Sequence, residues 1–154
     1  MITIDIPGRG KLELEHLVLD VNGTIACDGV LIPGVKERLA VLDEYVDVHL
    51  LTADTHGQQA AIDAELGLTA TIVQHGTMEK GAYVLALGAD HVAAVGNGAN
   101  DAAMFNAAAL RIAVLGPEGM AAALLANADV LVRDINDGLD LLLRPNRLVA
   151  TLRR

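Results

Sequence analysis

Residues 17–25 read LVLDVNGTI. Leu17, Val18 and Leu19 run directly into Asp20, and a short apolar run of this kind suits a buried strand. Asn22-Gly23 follows at once and favours a turn. The reading is therefore a carboxylate held at the carboxyl-terminal lip of a strand, with Asn22, Gly23 and Thr24 curling around it. Open α/β sheets gather their ligand chemistry at that edge. An aspartate that merely begins a loop would look the same, so the rest of the chain must decide.

Working outward, strands and helices alternate. Helical patterns fall at 34–45, 55–66, 77–87, 100–109, 119–126 and 135–143. Apolar strand-length runs fall at 46–51, 70–73, 91–95, 111–115 and 130–132. Pro33 precedes the first helix, while Gly67 and Gly88 end the second and third. A repeating βα chain predicts an α/β fold: a three-layer, Rossmann-like, mostly parallel sheet with helices on both faces. Ahead of it, ITIDI and KLELE alternate around Pro7-Gly8-Arg9-Gly10, a hairpin signal that places a ribbon at the sheet edge or covering it. The expected organisation is one domain over 1–154: a hairpin at 1–16, a core at 17–135 and a helical tail at 136–154.

Composition narrows the class. The 154 residues are 53% hydrophobic but only 2% aromatic. The core must be built from Ala, Val, Leu and Ile, which pack helices closely on a sheet. A net charge of −9 argues against a nucleic-acid surface, because neutralising phosphates needs clustered Lys and Arg. The single cysteine, Cys27, precludes an internal disulfide and suits a reducing compartment. With no visible signal peptide and no uncharged run near the roughly 18 residues of a membrane span, the expectation is a cytoplasmic protein with no membrane partner.

Four sites fall where strands end. Asp20 ends the first, Thr52 follows the second, Lys80 sits early in the 77–87 helix, and Gly96-Asn97-Gly98-Ala99-Asn100-Asp101 follows the 91–95 strand. A parallel sheet brings all four to one rim. Each suits phosphoryl transfer: an aspartate can attack phosphorus, a hydroxyl can donate to a phosphate oxygen, and a lysine can neutralise charge. Asp101 and Asn97 offer oxygen ligands for Mg²⁺. The N–H groups of the 22–24 turn can cradle phosphate oxygens.

Together the four motifs resemble those of the haloacid dehalogenase (HAD) superfamily of phosphohydrolases, and within it the soluble P-type-ATPase-like phosphatases. Asp20-Val21-Asn22-Gly23-Thr24, Thr52, Lys80 and Gly96-Asn97-Gly98-Ala99-Asn100-Asp101 follow the superfamily order, with amides at Asn22 and Asn97 in place of carboxylates. The resemblance implies catalytic roles for Asp20, Asn22, Thr52 and Lys80. It implies phosphate contacts from Gly23, Thr24, Thr52, Ala53, Lys80 and Asn100, and Mg²⁺ held around Asp20, Asn22, Asn97 and Asp101. The implied reaction is hydrolysis of phosphate esters or acyl phosphates, on a phosphorylated small molecule or phosphoprotein.

The departures refine that expectation. An amide at Asn22 cannot exchange a proton near neutral pH, so turnover should be slow or confined to good leaving groups. Asn97 removes a charge from the metal site. The spacings from Asp20 to Thr52 and from Thr52 to Lys80 leave no room for a cap domain, so only residues 26–33 or a second subunit could cover the site. High apolar content without a cap is compatible with a homo-oligomer. The alternatives are a weakly active phosphate- or Mg²⁺-binding or protein-interaction module and, with less support, a dehalogenase. Cys27, Asp54, His56 and His75 lie near the rim with no role assigned; His16, His49 and His91 read as structural.

Overall fold

The computed structural model describes residues 1–53, 57–74 and 76–154. Asp54, His56 and His75 lie outside the described residues. In chain order the strands are β1 (Ile2–Ile6), β2 (Gly10–Leu14), β3 (His16–Asp20), β4 (Ala26–Cys27), β5 (Val30–Leu31), β6 (Asp47–Thr52), β7 (Thr71–Ile72), β8 (Val92–Gly96), β9 (Leu110–Val114) and β10 (Val130–Val132). The helices are α1 (Val35–Leu42), α2 (Gln59–Leu66), α3 (Thr77–Leu87), α4 (Ala102–Ala107), α5 (Ile135–Leu143) and α6 (Pro145–Leu152).

Six strands form one parallel sheet in the order β10-β9-β8-β3-β6-β7. From β3 the chain first moves outward through β6 and β7. It then crosses back to β8 and moves the other way. The direction reverses between β3 and β8, and sheets of this kind open a ligand crevice at such a point. Period-two alternation gives each face its own core. Leu17 and Leu19 join Val35, Leu39, Ile135 and Leu139 on the α1/α5 side. Val18 and Leu51 pack with Val84, Met104 and Phe105 on the α3/α4 side. β3 is buried on both sides, which is why it reads as an unbroken apolar run.

The β1–β2 hairpin forms a ribbon of its own rather than extending the large sheet. It passes beneath the amino-terminal ends of the large sheet's strands. The Met1 amino group donates to the Tyr45 carbonyl ahead of β6. Glu15 N–H donates to His91 O ahead of β8. Arg9 donates to Ala109 O ahead of β9 and pairs with Asp129 ahead of β10. Ile2, Ile4, Ile6 and Leu14 close the core from below.

Two expectations need correction, and one element is added. The 119–126 helix is a 3₁₀ turn over Ala122–Ala126; its start is taken up by Ala121 N–H donating to Asn97 O in the functional loop. The 100–109 helix begins as a 3₁₀ turn, Ala99–Asp101, and becomes regular only in α4. The segment after Asp20 contains a small hairpin, β4–β5, which its few residues gave no period to reveal. The tail is a full helix, α6.

Asp129 ties the ribbon to the sheet. It accepts from Arg111 (2.8 and 2.9 Å) and from Arg9 (3.1 Å). Burial pushes its carboxyl up, but Arg111 and Arg9 overcome that and hold it below the ordinary value of 3.8. A lowered carboxyl stabilises the fold above its unfolded value and loses that contribution as pH falls through the folded one. Asp129→Asn should therefore cost about 1–3 kcal/mol at pH 7, with the difference from the parent vanishing well below pH 3.8. Urea denaturation of both proteins across acidic pH measures this.

Candidate active site

The site lies at the switch point between β3 and β8. β3 ends with Asp20 at its carboxyl lip, and the chain then folds back on itself. The N–H groups of Thr24, Ile25 and Ala26 all donate to Val21 O, and Gly23 N–H donates to Ala26 O. Gly23 has φ +80°, and a Cβ there would lie 2.4 Å from Asn97 Nδ2. Only glycine meets both demands. Because the Gly23 and Thr24 N–H groups are used inside the turn, the phosphate cradle expected from them is not formed in this arrangement. Thr24 contributes its hydroxyl instead, 3.1 Å from Asp20 Oδ2 and 3.2 Å from Asn97 Oδ1.

Lys80 reaches this point from the first turns of α3. It is fully buried, and its ammonium bridges Asp20 Oδ1 at 2.6 Å and Asp101 Oδ1 at 2.7 Å. Burial opposes the charge, but the two carboxylates hold Lys80 above its ordinary value. Asp101 is also fully buried. Its Oδ2 accepts the N–H groups of Asn97 (3.0 Å) and Gly98 (2.9 Å), closing the loop after β8 on itself. A Cβ at Gly96 would stand 2.4 Å from that oxygen, so the loop closes only over glycine. Burial, with the Asp101 charge behind it, pushes Asp20 up to about 7 against the pull of Lys80 and Thr24. One ammonium does not fully compensate two buried carboxylates.

The two amides have partners. Asn22 Nδ2 donates to Thr52 Oγ1 (3.2 Å), joining the end of β3 to the buried end of β6. Asn97 Nδ2 donates to Gly119 O (2.9 Å) while its Oδ1 faces Thr24. A carboxylate at 97 could not make the first of these bonds. Asp20, Thr24, Lys80, Asn97 and Asp101 thus form one hydrogen-bonded set, with the Asn22–Thr52 pair at the ends of β3 and β6 beside it. Ala53, exposed, and Asn100, half-buried, lie in the loops after β6 and β8 outside it.

Sequence reasoning missed the loop after β9. Gly116 packs against Gly23 O and Gly119 holds Asn97; the Gly116-Pro117 turn signal was its only trace. Cys27, Asp28 and Glu118 bring their ligand atoms within 4.8 Å of one another, and Gly29 lies against Gln58. The β4–β5 hairpin therefore touches the loops after β6 and β9 on either side of the site.

The donors around Asp20 and Asp101 suit a hard divalent cation. They are oxygens from Asp20, Asp101 and Asn97, and a cation there would favour the ionised form of Asp20, which burial and then the Asp101 charge oppose.

No family model matches the chain. It is 48% identical over 62 residues to the uncharacterized protein MJ0073 of Methanocaldococcus jannaschii, a match covering 40% of this chain and 67% of the relative. Among solved structures it is similar to a Vibrio cholerae protein assigned as a 3-deoxy-D-manno-octulosonate 8-phosphate phosphatase. There the TM-score is 0.71 at 14% identity, over 96% of this chain and 97% of the other. A Legionella pneumophila protein assigned to HAD superfamily subfamily III A gives 0.66 at 18%, over 90% and 87%. The Moraxella catarrhalis octulosonate phosphatase, in complex with magnesium, phosphate and its sugar, gives 0.65 at 18%, over 91% and 94%.

Replacing Lys80 should expose the charge imbalance. With Lys80→Met, two buried carboxylates lose their common counter-ion, at a cost of about 3–5 kcal/mol when both are ionised. A carboxyl raised on folding destabilises the fold as pH rises from its unfolded towards its folded value. The variant's deficit in metal-free urea denaturation should therefore be larger at pH 8 than at pH 5.

Proposed function

We propose that this chain, which has the haloacid dehalogenase fold without a cap domain and belongs to one family with MJ0073, is a Mg²⁺-dependent phosphohydrolase. On this reading it works through an aspartyl-phosphate on Asp20. The supporting observation is the Asp20–Lys80–Asp101 bridge at the sheet's switch point. It presents a nucleophile, a cation and a second carboxylate within two short contacts. Solved structures of the same fold include phosphatases, one of them crystallised with magnesium and phosphate.

Asp20 Oδ attacks phosphorus, and the bond from phosphorus to the leaving oxygen breaks with its electrons going to that oxygen. Lys80 offsets charge on the attacking carboxylate and on the phosphoryl group. The Thr52 hydroxyl and the Asn22 amide, bonded to each other at the end of β6, flank the same edge. A divalent cation, held by Asp20, Asn97 and Asp101, would supply further neutralisation of the phosphoryl oxygens. Water then cleaves the acyl phosphate and frees Asp20.

Asn22 sets the pace. It can neither protonate a departing alkoxide nor deprotonate the incoming water. Acyl phosphates and aryl phosphates, whose leaving groups need no proton, are the favoured substrates. Candidate substrates are phosphorylated small molecules or phosphoproteins, in the cytoplasm. The same two amides support the second reading, a phosphate- or Mg²⁺-binding module with negligible turnover.

With p-nitrophenyl phosphate and acetyl phosphate, we expect Mg²⁺-dependent turnover that Asp20→Asn abolishes, and a beryllofluoride adduct on Asp20. An adduct without turnover selects the binding-module reading. Equal activity in Asp20→Asn refutes the nucleophile. Asn22→Asp should raise turnover of alkyl phosphates by about 100-fold or more and that of p-nitrophenyl phosphate by much less.

A further inference from the structure

A second polar cluster lies at the opposite end of the sheet from Asp20 and plays no part in the proposed chemistry. Parallel pairing sets His16 of β3 beside Asp47 of β6, and Val18 beside His49. Alternation then puts His16, Asp47 and His49 on the α3/α4 face, below Val18 and Leu51. Tyr83 of α3, one turn beyond Lys80, faces the same place.

The contacts have a direction. His49 Nδ1 lies 3.0 Å from Tyr83 Oη, and His49 Nε2 lies 3.2 Å from His16 Nδ1. The same His16 nitrogen is 3.6 Å from Asp47 Oδ2. If His49 Nδ1 donates to Tyr83, the lone pair of His49 Nε2 faces His16. The outward nitrogen of one imidazole is then oriented by a phenol, and the inward nitrogens of two imidazoles face each other beside a carboxylate.

We propose that His16 Nδ1, His49 Nε2 and the Asp47 carboxylate form a binding site for a borderline divalent transition-metal ion of the Zn²⁺ class. The ion would take the place of the hydrogen bond between the two rings. Two nitrogens at the usual Zn–N distance of about 2.0–2.1 Å, subtending a tetrahedral angle, stand roughly 3.3 Å apart. The observed 3.2 Å already matches that separation, and each ring must tilt by roughly 35° from the hydrogen-bonding line to converge on the ion. Asp47 is 79% exposed, so its carboxylate can turn into the third position, and the ion enters from solvent on that side. Water completes the coordination.

Imidazole nitrogens select Zn²⁺, Ni²⁺ or Cu²⁺ over Mg²⁺. The all-oxygen set at Asp20 has the opposite preference, so one sheet would carry two metal sites of different chemistry at its two ends. Tyr83 is the outer partner that fixes the His49 ring, a role such partners commonly play around ligating histidines. The bound ion would join β3 to β6 and, through Tyr83, to α3. Its expected effect is on stability, without entry into the reaction.

The test uses the full chain, stripped of metal and titrated with Zn²⁺ alone. One equivalent should bind with micromolar affinity and raise the melting temperature. Long-range ¹H–¹⁵N spectra of the imidazoles should show His16 Nδ1 and His49 Nε2 shifting together, with the other histidines unmoved. His16→Gln should weaken binding at least 100-fold. Tyr83→Phe should weaken it by about tenfold or more, and Asp47→Asn, at an exposed position that leaves folding intact, by a comparable factor. Cys27→Ser and Asp20→Asn should leave it unchanged, which separates this site from the Cys27–Asp28–Glu118 group and from the phosphoryl site. Absence of binding at millimolar Zn²⁺ overturns the proposal. So does binding that survives both His16→Gln and Asp47→Asn, or that Cys27→Ser removes.

Discussion

The molecule depends on one ammonium group buried between two carboxylates. Lys80, with no solvent exposure, joins the end of β3 to the loop after β8 across the place where the sheet reverses its direction of growth. Stranded there without Asp20 and Asp101, a lysine would be among the costliest side chains to bury; without Lys80, the two carboxylates would repel. Each group is tolerable only because the other two are present. Neighbouring features serve this triad. Gly96 clears space for Asp101, Gly23 clears space for Asn97, and the close approach of Gly81 to Ala103 lets α3 lie tightly on α4 so that Lys80 reaches inward.

That dependence separates what the sequence made legible from what it hid. The buried strand at 17–21, the alternation of strands and helices, and the four rim positions are visible because apolar periodicity and glycine punctuation are local signals. Asp20, Lys80, Asn97 and Asp101 join one hydrogen-bonded network, and Asn22 and Thr52 pair at the strand ends beside it. Lys80 was the weakest of these in the sequence, where a lysine early in a helix reads as a solvated face; only the tertiary approach of two acids distinguishes it. The course of the first ribbon under the sheet was ambiguous for a similar reason. Its anchor, Arg9 to Asp129, spans 120 residues, and no local pattern carries it. The 119–126 stretch misled because an alanine-rich run favours helix intrinsically, whereas here the Ala121 N–H donates to the Asn97 carbonyl.

The amides at 22 and 97 read from sequence as losses: a missing proton donor and a missing charge. The structure also gives each an attachment. Asn97 bonds both to Thr24 and to the Gly119 carbonyl, so it holds the first turn and the loop after β9 in one arrangement. Asn22 fastens β3 to β6 through Thr52. An aspartate in either place would gain reactivity or metal affinity and give up a donor that keeps neighbouring loops in register.

Tyr83 has a consequence of an optical kind. The chain contains no tryptophan and two tyrosines, and Tyr45 is half exposed while Tyr83 stands against His49. Tyrosine emission therefore comes from two rings, and one of them, on the helix that bears Lys80, touches the ionisable His49 of β6. With Tyr45 changed to Phe, Tyr83, one helical turn from the ammonium that holds the fold together, would report by its own light on the state of the His49 ring.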